Sequence, residues 1–382
     1  MTAQIDIAIV GSGPVGATLA AMLAGTKLQV RMLEARAAPS RDVRTLALSH
    51  ASFELLEEIG AWPAASATTI SSIHISQQGG PGRALLTAHE QGLPALGYTV
   101  PYAALEEALE SRLRSDGVPV AFGAACEAIA LDRESARLRL ATGEEVRARL
   151  LVLADGGANA SRIPGIAYED KDYGQVALTA AVRTDRGHDG RAFERFTPRG
   201  PVALLPVSDR YALVWTATPE EAARLVALPE AQFLAELQAY FGDRAGTFVA
   251  AGTRASFPLR LRTVNTPVAL RTVLVGNAAQ ALHPIAGQGL NIGLRDAATL
   301  AALLVDGSPA DAGDARLLEA YRAARGRDTR RGVAFTDFLV SAFADGRRLP
   351  TWGRGLALTV LDLFPPARRA LAQRMIRGAG AS

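Results

Sequence analysis

Cysteine, metal-ligand clusters and long apolar runs are scarce or absent in this sequence of 382 residues. Cys126 is the single cysteine, which excludes an intramolecular disulfide and a metal site built from thiolates. The histidines lack ligand-like spacing such as His-x-x-x-His, so we expect no metal centre. No apolar run reaches the roughly 18 residues of a membrane-spanning helix, and residues 1–6 lack the basic region of a signal peptide. We therefore expect a cytoplasmic protein.

A strong excess of one charge is also missing. The net charge is +3, and charged residues of both signs are spread over most of the chain, which argues against a nucleic-acid partner. The hydrophobic fraction of 49% with 21% charged residues indicates an ordinary globular protein. The length suggests two domains or slightly more.

The N-terminal part of the chain has the pattern strand, glycine-rich turn, helix and strand. The aliphatic runs Ile5–Val10 and Leu28–Leu33 predict buried parallel strands, and Pro14–Ala24 predicts a helix of small and apolar residues. These elements form a βαβ unit, which is the frame of Rossmann-type nucleotide-binding domains.

The turn of this unit carries the spacing G-x-G-x-x-G at Gly11, Gly13 and Gly16. Gly11 permits the tight turn, Gly13 lets the backbone approach a pyrophosphate, and Gly16 lets the helix pack closely on the sheet. Pro14 and Val15 open the helix, whose first N–H groups would face the anion. The turn therefore predicts dinucleotide binding.

Glu34 ends the second strand at the distance expected of an acid that binds ribose. Its carboxylate can accept hydrogen bonds from both ribose hydroxyls, and its charge would repel a 2′-phosphate. Ala35 and Arg36, which follow it, are included in the predicted dinucleotide site. These residues leave open whether the dinucleotide is FAD or NAD.

Two later segments bear on this choice. Residues 150–162 place Asp155-Gly156 directly after a predicted strand, and residues 275–296 contain Gly276-Asn277 followed by a glycine-rich loop. The short side chain of Asn277 can hydrogen-bond ribityl or pyrophosphate oxygens. The loop from Pro284 to Gly289 has almost no side-chain bulk, so a planar ring can lie against its backbone. A helix beginning near Gly289 would aim its N–H groups at a flavin.

These segments resemble the Asp-Gly and Gly-Asp motifs of flavoprotein hydroxylases. From Ile5 to about Arg377 the chain resembles the ubiquinone-biosynthesis hydroxylases (2-polyprenyl-6-methoxyphenol hydroxylase-like) within the class A flavoprotein monooxygenases, and Arg44–Ser49 and Asp362–Ala372 share in that likeness. Asn277 stands where the wider class usually has Asp, and this replacement by Asn is similar to what ubiquinone hydroxylases show.

The resemblance implies one bound FAD. Beyond the first motif, it assigns these cofactor-binding residues: Arg44, Arg112, Asp155, Gly156, Gly276, Asn277, Gly287, Gln288, Gly289, Leu290 and Asn291. Arg112 can equally be a solvated residue on a helix face. Tyr102 replaces the Arg, Gln or His of many relatives and is given no role. His283, Pro284 and Gly287 are placed beside the flavin, where His283 either handles a proton or holds the loop.

The implied reaction uses NADH or NADPH as a transient co-substrate to reduce FAD. Reduced flavin and O₂ would form a flavin hydroperoxide, which hydroxylates the aromatic ring of a polyprenylated phenol in ubiquinone biosynthesis. A flavin halogenase is a rival whose Trp-x-Trp-x-Ile signature is missing. An FAD-dependent polyprenyl reductase and a non-catalytic FAD-binding subunit of a biosynthetic complex stay open.

The expected fold is α/β, with a Rossmann-type FAD-binding domain, an inserted mostly antiparallel β-sheet substrate domain and a C-terminal helical region. We assign residues 1–68, 99–172 and 260–312 to the first, 69–98 and 173–259 to the second, and 313–382 to the third. Short alternating runs over residues 176–218 predict the antiparallel sheet. Residues 77–96, rich in Gly, Pro and His, are expected to be a loop, and residues 220–241 one helical segment.

The tail from Arg347 to Arg377 contains seven arginines and one acid, Asp362, among bulky apolar residues. This pattern suits an interfacial helix on anionic lipid, and a polyprenylated substrate must be drawn from a bilayer. Helices packed on the FAD domain, or a surface for other ubiquinone-pathway proteins, explain the pattern equally well. Peripheral contact with the inner face of the membrane is therefore an open expectation.

Overall fold

The computed structural model describes residues 4–40, 42–79, 82–281, 288–307, 310–344, 358–359 and 361–377. Its strands are β1 (Ile5–Val10), β2 (Val30–Leu33), β3 (Thr45–Ser49), β4 (Thr68–Ile70), β5 (Ser72–Gln77), β6 (Arg83–Thr87), β7 (Gly97–Pro101), β8 (Val120–Ala121), β9 (Cys126–Leu131), β10 (Ala136–Leu140), β11 (Glu145–Leu153), β12 (Tyr168–Thr184), β13 (Arg191–Phe196), β14 (Val202–Val207), β15 (Arg210–Ala217), β16 (Phe248–Ala251), β17 (Ala255–Val264), β18 (Val268–Ala269), β19 (Thr272–Leu274) and β20 (Gln280–Ala281). Its α-helices are α1 (Pro14–Leu23), α2 (His50–Glu58), α3 (Ala88–Gln91), α4 (Tyr102–Ser115), α5 (Pro219–Ala227), α6 (Glu230–Phe241), α7 (Gln288–Asp306), α8 (Ala315–Ala344) and α9 (Pro365–Arg377).

The first sheet is the nucleotide-binding frame. Its strand order is β18-β19-β11-β1-β2-β8, and β1 pairs in parallel with both β11 and β2. The continuous aliphatic runs follow from burial on both faces. Ile7 and Ile9 face the layer of α1, α4 and α7, whereas Ala8 and Leu151 face the hairpin of β9 and β10. The expected Rossmann-type frame is confirmed.

The second sheet is larger, with the order β20-β17-β12-β15-β14-β13-β5-β6. All its pairs along this order are antiparallel except β13 with β5, which is parallel. One face, called the outer face here, carries large residues such as Leu213 and Trp215, which pack under Phe233 and Phe241 of α6. The opposite, inner face carries Ile75 and Phe196, which pack against α9; because α9 also contacts α2 and β3, this face lies on the side of the nucleotide-binding frame.

A small sheet of β3, β7 and β4 lies between the two larger ones. The Thr99 hydroxyl on β7 donates a hydrogen bond to the Pro206 carbonyl on β14. The backbone N–H of Ser208 donates to the Thr68 hydroxyl on β4 over 2.9 Å. These bonds attach the end of β14 to the nucleotide-binding side of the molecule. Strand β12 begins at Tyr168 and β17 ends at Val264, so the large sheet extends past residues 173–259 at both ends.

Two expectations about local structure were wrong. Residues 77–96 contain β6 and α3 as well as loop, because Ala84 and Leu86 pair with β5 and bury against it. The Thr87 hydroxyl caps α3, and Gly92, with φ of +65°, ends it. The segment 220–241 is two helices, since Pro229 separates α5 from α6.

The C-terminal helices pack on the rest of the chain. Helix α8 lies against α7, with Tyr321 fully buried. Helix α9 inserts Ala372 and Ile376 beside Ile75 and Phe196 of the large sheet. No helix in the described ranges has the length and apolar content needed to cross a bilayer.

Candidate functional site

The glycine turn after β1 has the geometry that its spacing predicts. Gly11 has φ of +103°, and a Cβ there would lie 2.6 Å from the Ala154 carbonyl oxygen. A Cβ on Gly16 would overlap the carbonyl oxygen of Gly11, so α1 packs directly on the turn. Gly13 is different, because its nearest neighbour would be the Tyr102 hydroxyl at 3.7 Å. The backbone at Gly13, just before Pro14 and Val15, is therefore open to a ligand.

Glu34 lies at the mouth of this turn, where Ser12 and Arg36 hold it. Its Oε2 accepts hydrogen bonds from the Ser12 backbone N–H and hydroxyl, both over 2.8 Å. Its Oε1 accepts from the Arg36 backbone N–H over 2.9 Å. Burial alone would raise the pKa of Glu34, but the hydrogen bonds from Arg36 and Ser12 lower it to about 2. The carboxylate is charged and fixed in position, as a ribose-binding acid must be.

A second buried carboxylate, Glu106 on α4, completes this group. Its Oε1 accepts from Arg36 Nη1 over 2.8 Å, and its Oε2 accepts from the Ser40 backbone N–H over 2.9 Å. No sequence motif marks Glu106, because its role requires α4 to meet the end of β2. Ala35 is exposed at this point.

Tyr102 and Arg44 come together beside the glycine turn. Tyr102 is the first residue of α4, and its backbone N–H donates to the Arg44 carbonyl over 2.9 Å. The Arg44 guanidinium lies 5.6 Å from the centroid of the Tyr102 ring and is paired with Asp42. Burial raises the pKa of Tyr102. No sequence motif predicts a role for Tyr102. The pairing of its neighbour Pro101 with Thr45 in β3 is what brings Tyr102 to Arg44.

Arg112 lies elsewhere. It is ten residues beyond Tyr102 on α4, about 15 Å along the helix at 1.5 Å per residue. Its Nε donates to Asp116 over 2.8 Å, and its guanidinium lies against Gly60 at the end of α2. The structure does not bring Arg112 to the glycine turn, and its cofactor contact stays a prediction.

The Asp155-Gly156 motif forms a turn directly under Gly11. Asp155 accepts hydrogen bonds from the Gly157 backbone N–H over 2.9 Å and from the Asn159 side chain over 2.7 Å. Gly156 has φ of +70°, which favours glycine. Asp155 thus shapes its own turn, while Gly156 is exposed.

The third motif packs against the first. The N–H of Gly276 donates to buried Asp296 over 3.0 Å, and a Cβ on Gly276 would lie 3.0 Å from Val15. A Cβ on Gly293 of α7 would lie 2.7 Å from the same Val15 side chain. Asn277 follows on the exposed side and has no side-chain partner among the described residues. This amide is available to a ligand beside the glycine turn.

A buried ionic network, which sequence analysis did not find, supports the third motif. Asp296 accepts from Gln280 Nε2 over 2.7 Å and from Arg325 Nε over 2.7 Å. Arg325 also pairs with Asp328, which pairs in turn with Arg295. The network joins α8 to the loop after β19 and to α7.

The first turn of α7 has one open and one anchored side. Among the described residues, a Cβ on Gly289 would meet nothing within 4 Å, whereas Gln288 is buried and Leu290 half-buried. Asn291 is buried, and its Oδ1 accepts from the Ser49 N–H over 2.8 Å while its Nδ2 donates to the Ala47 carbonyl over 3.0 Å. His283, Pro284 and Gly287 lie outside the described residues. No group of His, Cys, Asp and Glu in the described part of the chain could hold a metal ion.

The arrangement suits a dinucleotide. The open backbone at Gly13 and the unsatisfied N–H groups of α1 can bind a pyrophosphate. Glu34 can bind a ribose, and the exposed Asn277 amide, next to Gly276, can bind a further polar group of the ligand. The start of α7, with its open Gly289, leaves room for a planar ring system.

Comparisons with known proteins agree with this geometry. Residues 4–336 match the family described as FAD binding domain. The chain is 36% identical over 376 residues to the ubiquinone hydroxylase UbiL of Rhodospirillum rubrum, across 95% of this chain and 87% of that protein. It is 36% identical over 315 residues to the 3-demethoxyubiquinol 3-hydroxylase of Escherichia coli, across 79% of this chain and 80% of that protein.

Solved structures share the fold. The p-nitrophenol 4-monooxygenase PnpA of Pseudomonas putida superposes with a TM-score of 0.80 at 16% identity, covering 100% of both chains. PqsL of Pseudomonas aeruginosa gives a TM-score of 0.77 at 22% identity, covering 93% of this chain and 100% of that one. At these identities the likeness concerns the fold alone.

Proposed function

The chain belongs to the FAD-binding-domain family, among the ubiquinone-biosynthesis hydroxylases of the class A flavoprotein monooxygenases, and on that premise we propose that it hydroxylates the aromatic ring of a polyprenylated phenol in ubiquinone biosynthesis. FAD is its cofactor, with NAD(P)H and O₂ as co-substrates. The observation that carries the proposal is that the three flavin motifs meet: Gly11 of the first lies against Ala154 and Asp155 at the second, and Val15 of the first lies against Gly276 and Gly293 of the third. The place where they meet adjoins the inner face of the large sheet.

The residues present fit FAD. The open backbone at Gly13 and the start of α1 would hold the pyrophosphate, and Glu34 would hold the adenosine ribose. Ser12 and Arg36 already hydrogen-bond to Glu34. A ribose hydroxyl would therefore donate to the Glu34 carboxylate beside the Ser12 hydroxyl, or in its place after that hydroxyl rotates away. The Asn277 amide would bind the ribityl or pyrophosphate oxygens. Gly289 would leave the space for the ring.

When bound and reduced by NAD(P)H, FAD supplies the activation of O₂ and the transfer of one oxygen atom. The chain positions the aromatic ring, excludes water from the site and handles protons. With a flavin bound there, the first N–H groups of α7 would favour negative charge on its ring, by roughly 0.3–1 kcal/mol, or about 2 if partly buried. His283, Pro284 and Gly287 keep their proposed place beside the flavin.

The inner face of the large sheet would hold the phenol ring. Its side chains around the middle of β12, β14 and β15 are small, including Thr179, Ala203 and Ala212. They are half-buried although they face the nucleotide-binding side. Small side chains at a covered face leave a recess, and an apolar recess excludes water from the reacting ring.

We also propose peripheral membrane contact through the start of α9. Leu363 and Phe364, which directly precede α9, are 76% and 55% exposed, and Arg369 is exposed in the first turns of the helix. Arg368 is paired with Glu90, so part of the basic cluster packs inward. Exposed apolar residues beside arginines suit the interface of an anionic bilayer. Contact with other proteins of the pathway would use the same face.

The test is oxygen-dependent NAD(P)H oxidation by the FAD-loaded protein, with and without short-chain prenylphenols, with products analysed by mass. A product heavier by one oxygen atom, formed in step with nicotinamide consumption, supports the hydroxylase. Turnover that reduces a prenyl chain without O₂ would favour a polyprenyl reductase. FAD binding without any reduction by NAD(P)H would favour a non-catalytic subunit.

A further inference from the structure

Glu194 is an acid on the inner face of the large sheet. Side chains alternate between the two faces of a strand, and directly paired residues share a face. Its neighbours Phe193 and Arg195 are buried on the outer face, where the Phe193 ring lies 5.7 Å from that of Phe241 in α6. Glu194 therefore points to the inner face, toward the nucleotide-binding frame.

The strand register identifies the neighbours of Glu194 on that face. It is flanked by Ile75 of β5 and by Ala203 of β14, and Val214 of β15 and Thr179 of β12 continue the same row. The adjacent rows are also uncharged; they contain Ile73, Ala192, Ala212 and Ala181 on one side and Gln77, Phe196, Thr216 and Ala177 on the other. Within the described strands, the neighbours of Glu194 on this face are thus neutral and mostly apolar.

The other charged side chains of the neighbouring elements lie at strand ends, are paired, or are exposed. Arg183 and Arg210 follow the same alternation only at the far ends of β12 and β15, and Arg210 pairs with Asp209. On α9, which packs beside Ile75 and Phe196, Arg368 pairs with Glu90. Arg374 of α9 donates to the Arg331 carbonyl, and Arg369 and Arg377 are exposed.

Glu194 has no hydrogen bond or ion pair within the described residues. Its carboxylate oxygens are not fully buried, because the side chain as a whole is only half-buried. Burial alone raises the pKa of the carboxyl to about 8. An acid that is desolvated but still reachable lines a recess rather than a packed core.

We propose that Glu194 binds the ring hydroxyl of the phenol and accepts its proton during hydroxylation. The proposal rests on the proposed function, since the substrate must be a phenol that lies in the recess between this sheet and the flavin motifs. A carboxylate is the one acceptor among these neutral neighbours that can both hold an O–H group and take its proton. Apolar neighbours Ile75 and Val214 would contact the ring itself.

The proton balance of the step is simple. An electron pair of the ring forms the new C–O bond while the O–O bond of the activated O₂ breaks, and the second oxygen atom departs with that bond's electron pair and is released as water. The phenolic O–H bond breaks, its electron pair forms the C=O bond of a dienone, and the proton passes to Glu194. The hydroxylated carbon then loses its hydrogen as a proton to solvent, the ring regains aromaticity, and the dienone oxygen takes the proton back from Glu194.

The test compares Glu194→Gln and Glu194→Leu with wild type, and uses Glu169→Gln as the matched control. Glu169 is an exposed acid of the same sheet, on β12. The first readout is binding of 2-prenylphenol and of its O-methyl ether by calorimetry. Wild type and the control should prefer the phenol, and Glu194→Leu should lose that preference because the O–H group loses its acceptor.

The second readout is the ratio of hydroxylated product to H₂O₂ per NAD(P)H, from about pH 6 to about pH 10. In wild type, hydroxylation should rise with pH through an apparent pKa near 8 as the carboxyl ionises. Glu194→Gln should lose this rise and hydroxylate about 100-fold more slowly, the order of one acid–base group, with FAD content unchanged. Its NAD(P)H consumption should go to H₂O₂.

A Glu194→Gln enzyme with the wild-type product ratio and pH profile would overturn the proposal. So would a Glu194→Leu protein that still prefers the phenol to its ether. Failure of the proposed function looks different, because wild type itself would then hydroxylate no prenylphenol. The preference for phenol over ether would still decide whether Glu194 binds an aromatic hydroxyl.

Discussion

The Nε of Arg325 lies 2.7 Å from Oδ1 of Asp296, and the two side chains are only 7% and 2% exposed. The other oxygen of Asp296 accepts from the Gly276 N–H and from Gln280. A single buried carboxylate thus joins α8, α7 and the loop after β19. The backbone that would contact the flavin is positioned by an ion pair that does not itself touch the cofactor site.

We expect Asp296→Asn to destabilise the protein by about 1.5–3 kcal/mol, because the buried Arg325 guanidinium loses one of its two carboxylate partners and keeps only Asp328. FAD content should fall with it, since Gly276 loses a charged acceptor. Thermal unfolding and flavin absorbance measure the two effects. Asp306→Asn, at the exposed end of α7, is the control. An Asp296→Asn protein as stable as this control would show that the network contributes little.

Glu34 should make stability depend on acid. Hydrogen bonds from Arg36 and Ser12 outweigh burial and lower its pKa from the usual 4.5 to about 2, so folding favours the charged form. Its contribution, up to about 3 kcal/mol, is fully present above about pH 4.5 and is lost as pH falls toward about 2. Urea unfolding from neutral to acid pH measures it. Glu34→Gln should reduce the dependence of the unfolding free energy on pH, whereas Glu145→Gln, at an exposed position, should leave it unchanged. The same pH dependence in wild type and both variants would show that Glu34 does not contribute this stability.

Gly293→Ala should force α7 away from α1, since its Cβ would lie 2.7 Å from Val15 and 3.0 Å from the Cα of Gly276. We expect a loss of about 1–3 kcal/mol, the usual range for overpacking. The double variant Val15→Ala, Gly293→Ala should recover much of this loss, because the clash is with the Val15 side chain. Thermal unfolding of the two proteins tests the contact, and a double variant no more stable than the single one would argue against it.

Gly289→Val separates space for the ligand from stability. A Cβ at Gly289 meets no described residue within 4 Å, so the free energy of unfolding of the protein without FAD should stay within about 0.5 kcal/mol of wild type. If the flavin ring lies against this backbone, the added side chain should weaken FAD binding by about tenfold or more. Titration of the apoprotein with FAD measures this. Unchanged affinity would place the ring elsewhere.

The double variant Leu363→Ser, Phe364→Ser should bind vesicles of mixed phosphatidylglycerol and phosphatidylcholine about tenfold more weakly than wild type. The exposed apolar area at the start of α9 is lost, at about 25 cal/mol per Å². Turnover of a water-soluble short-chain phenol should not change. Leu270→Ser, a 51% exposed residue far along the chain from α9, is the control. Vesicle flotation measures the binding. Equal binding by all three proteins would show that Leu363 and Phe364 do not contact the membrane.

Several features could be predicted from the sequence because they depend on residues close together in the chain. Gly11 and Gly16 have spacing that dictates a turn and a close helix contact, and the structure has both. Aliphatic runs predicted the parallel strands, since burial on both faces leaves no other composition. The loop expected at residues 77–96 failed for the converse reason: the strand β6 exists through its pairing with β5, and nothing local indicates that partner.

Long-range relationships were decided only by the tertiary structure. Glu106 reaches Arg36, and Asp296 reaches Arg325, across separations that no local spacing encodes. Arg112 and Tyr102 share α4, yet only Tyr102 meets the glycine turn, because the helix runs away from it. Glu194 and Arg195 are adjacent in sequence, but strand register sends one to the recess and the other to the core. The sequence by itself determined the family, the cofactor motifs and the local backbone that each motif needs. Which distant side chains meet, and which face of a strand they occupy, depends on packing between elements, and so only the folded chain decided it.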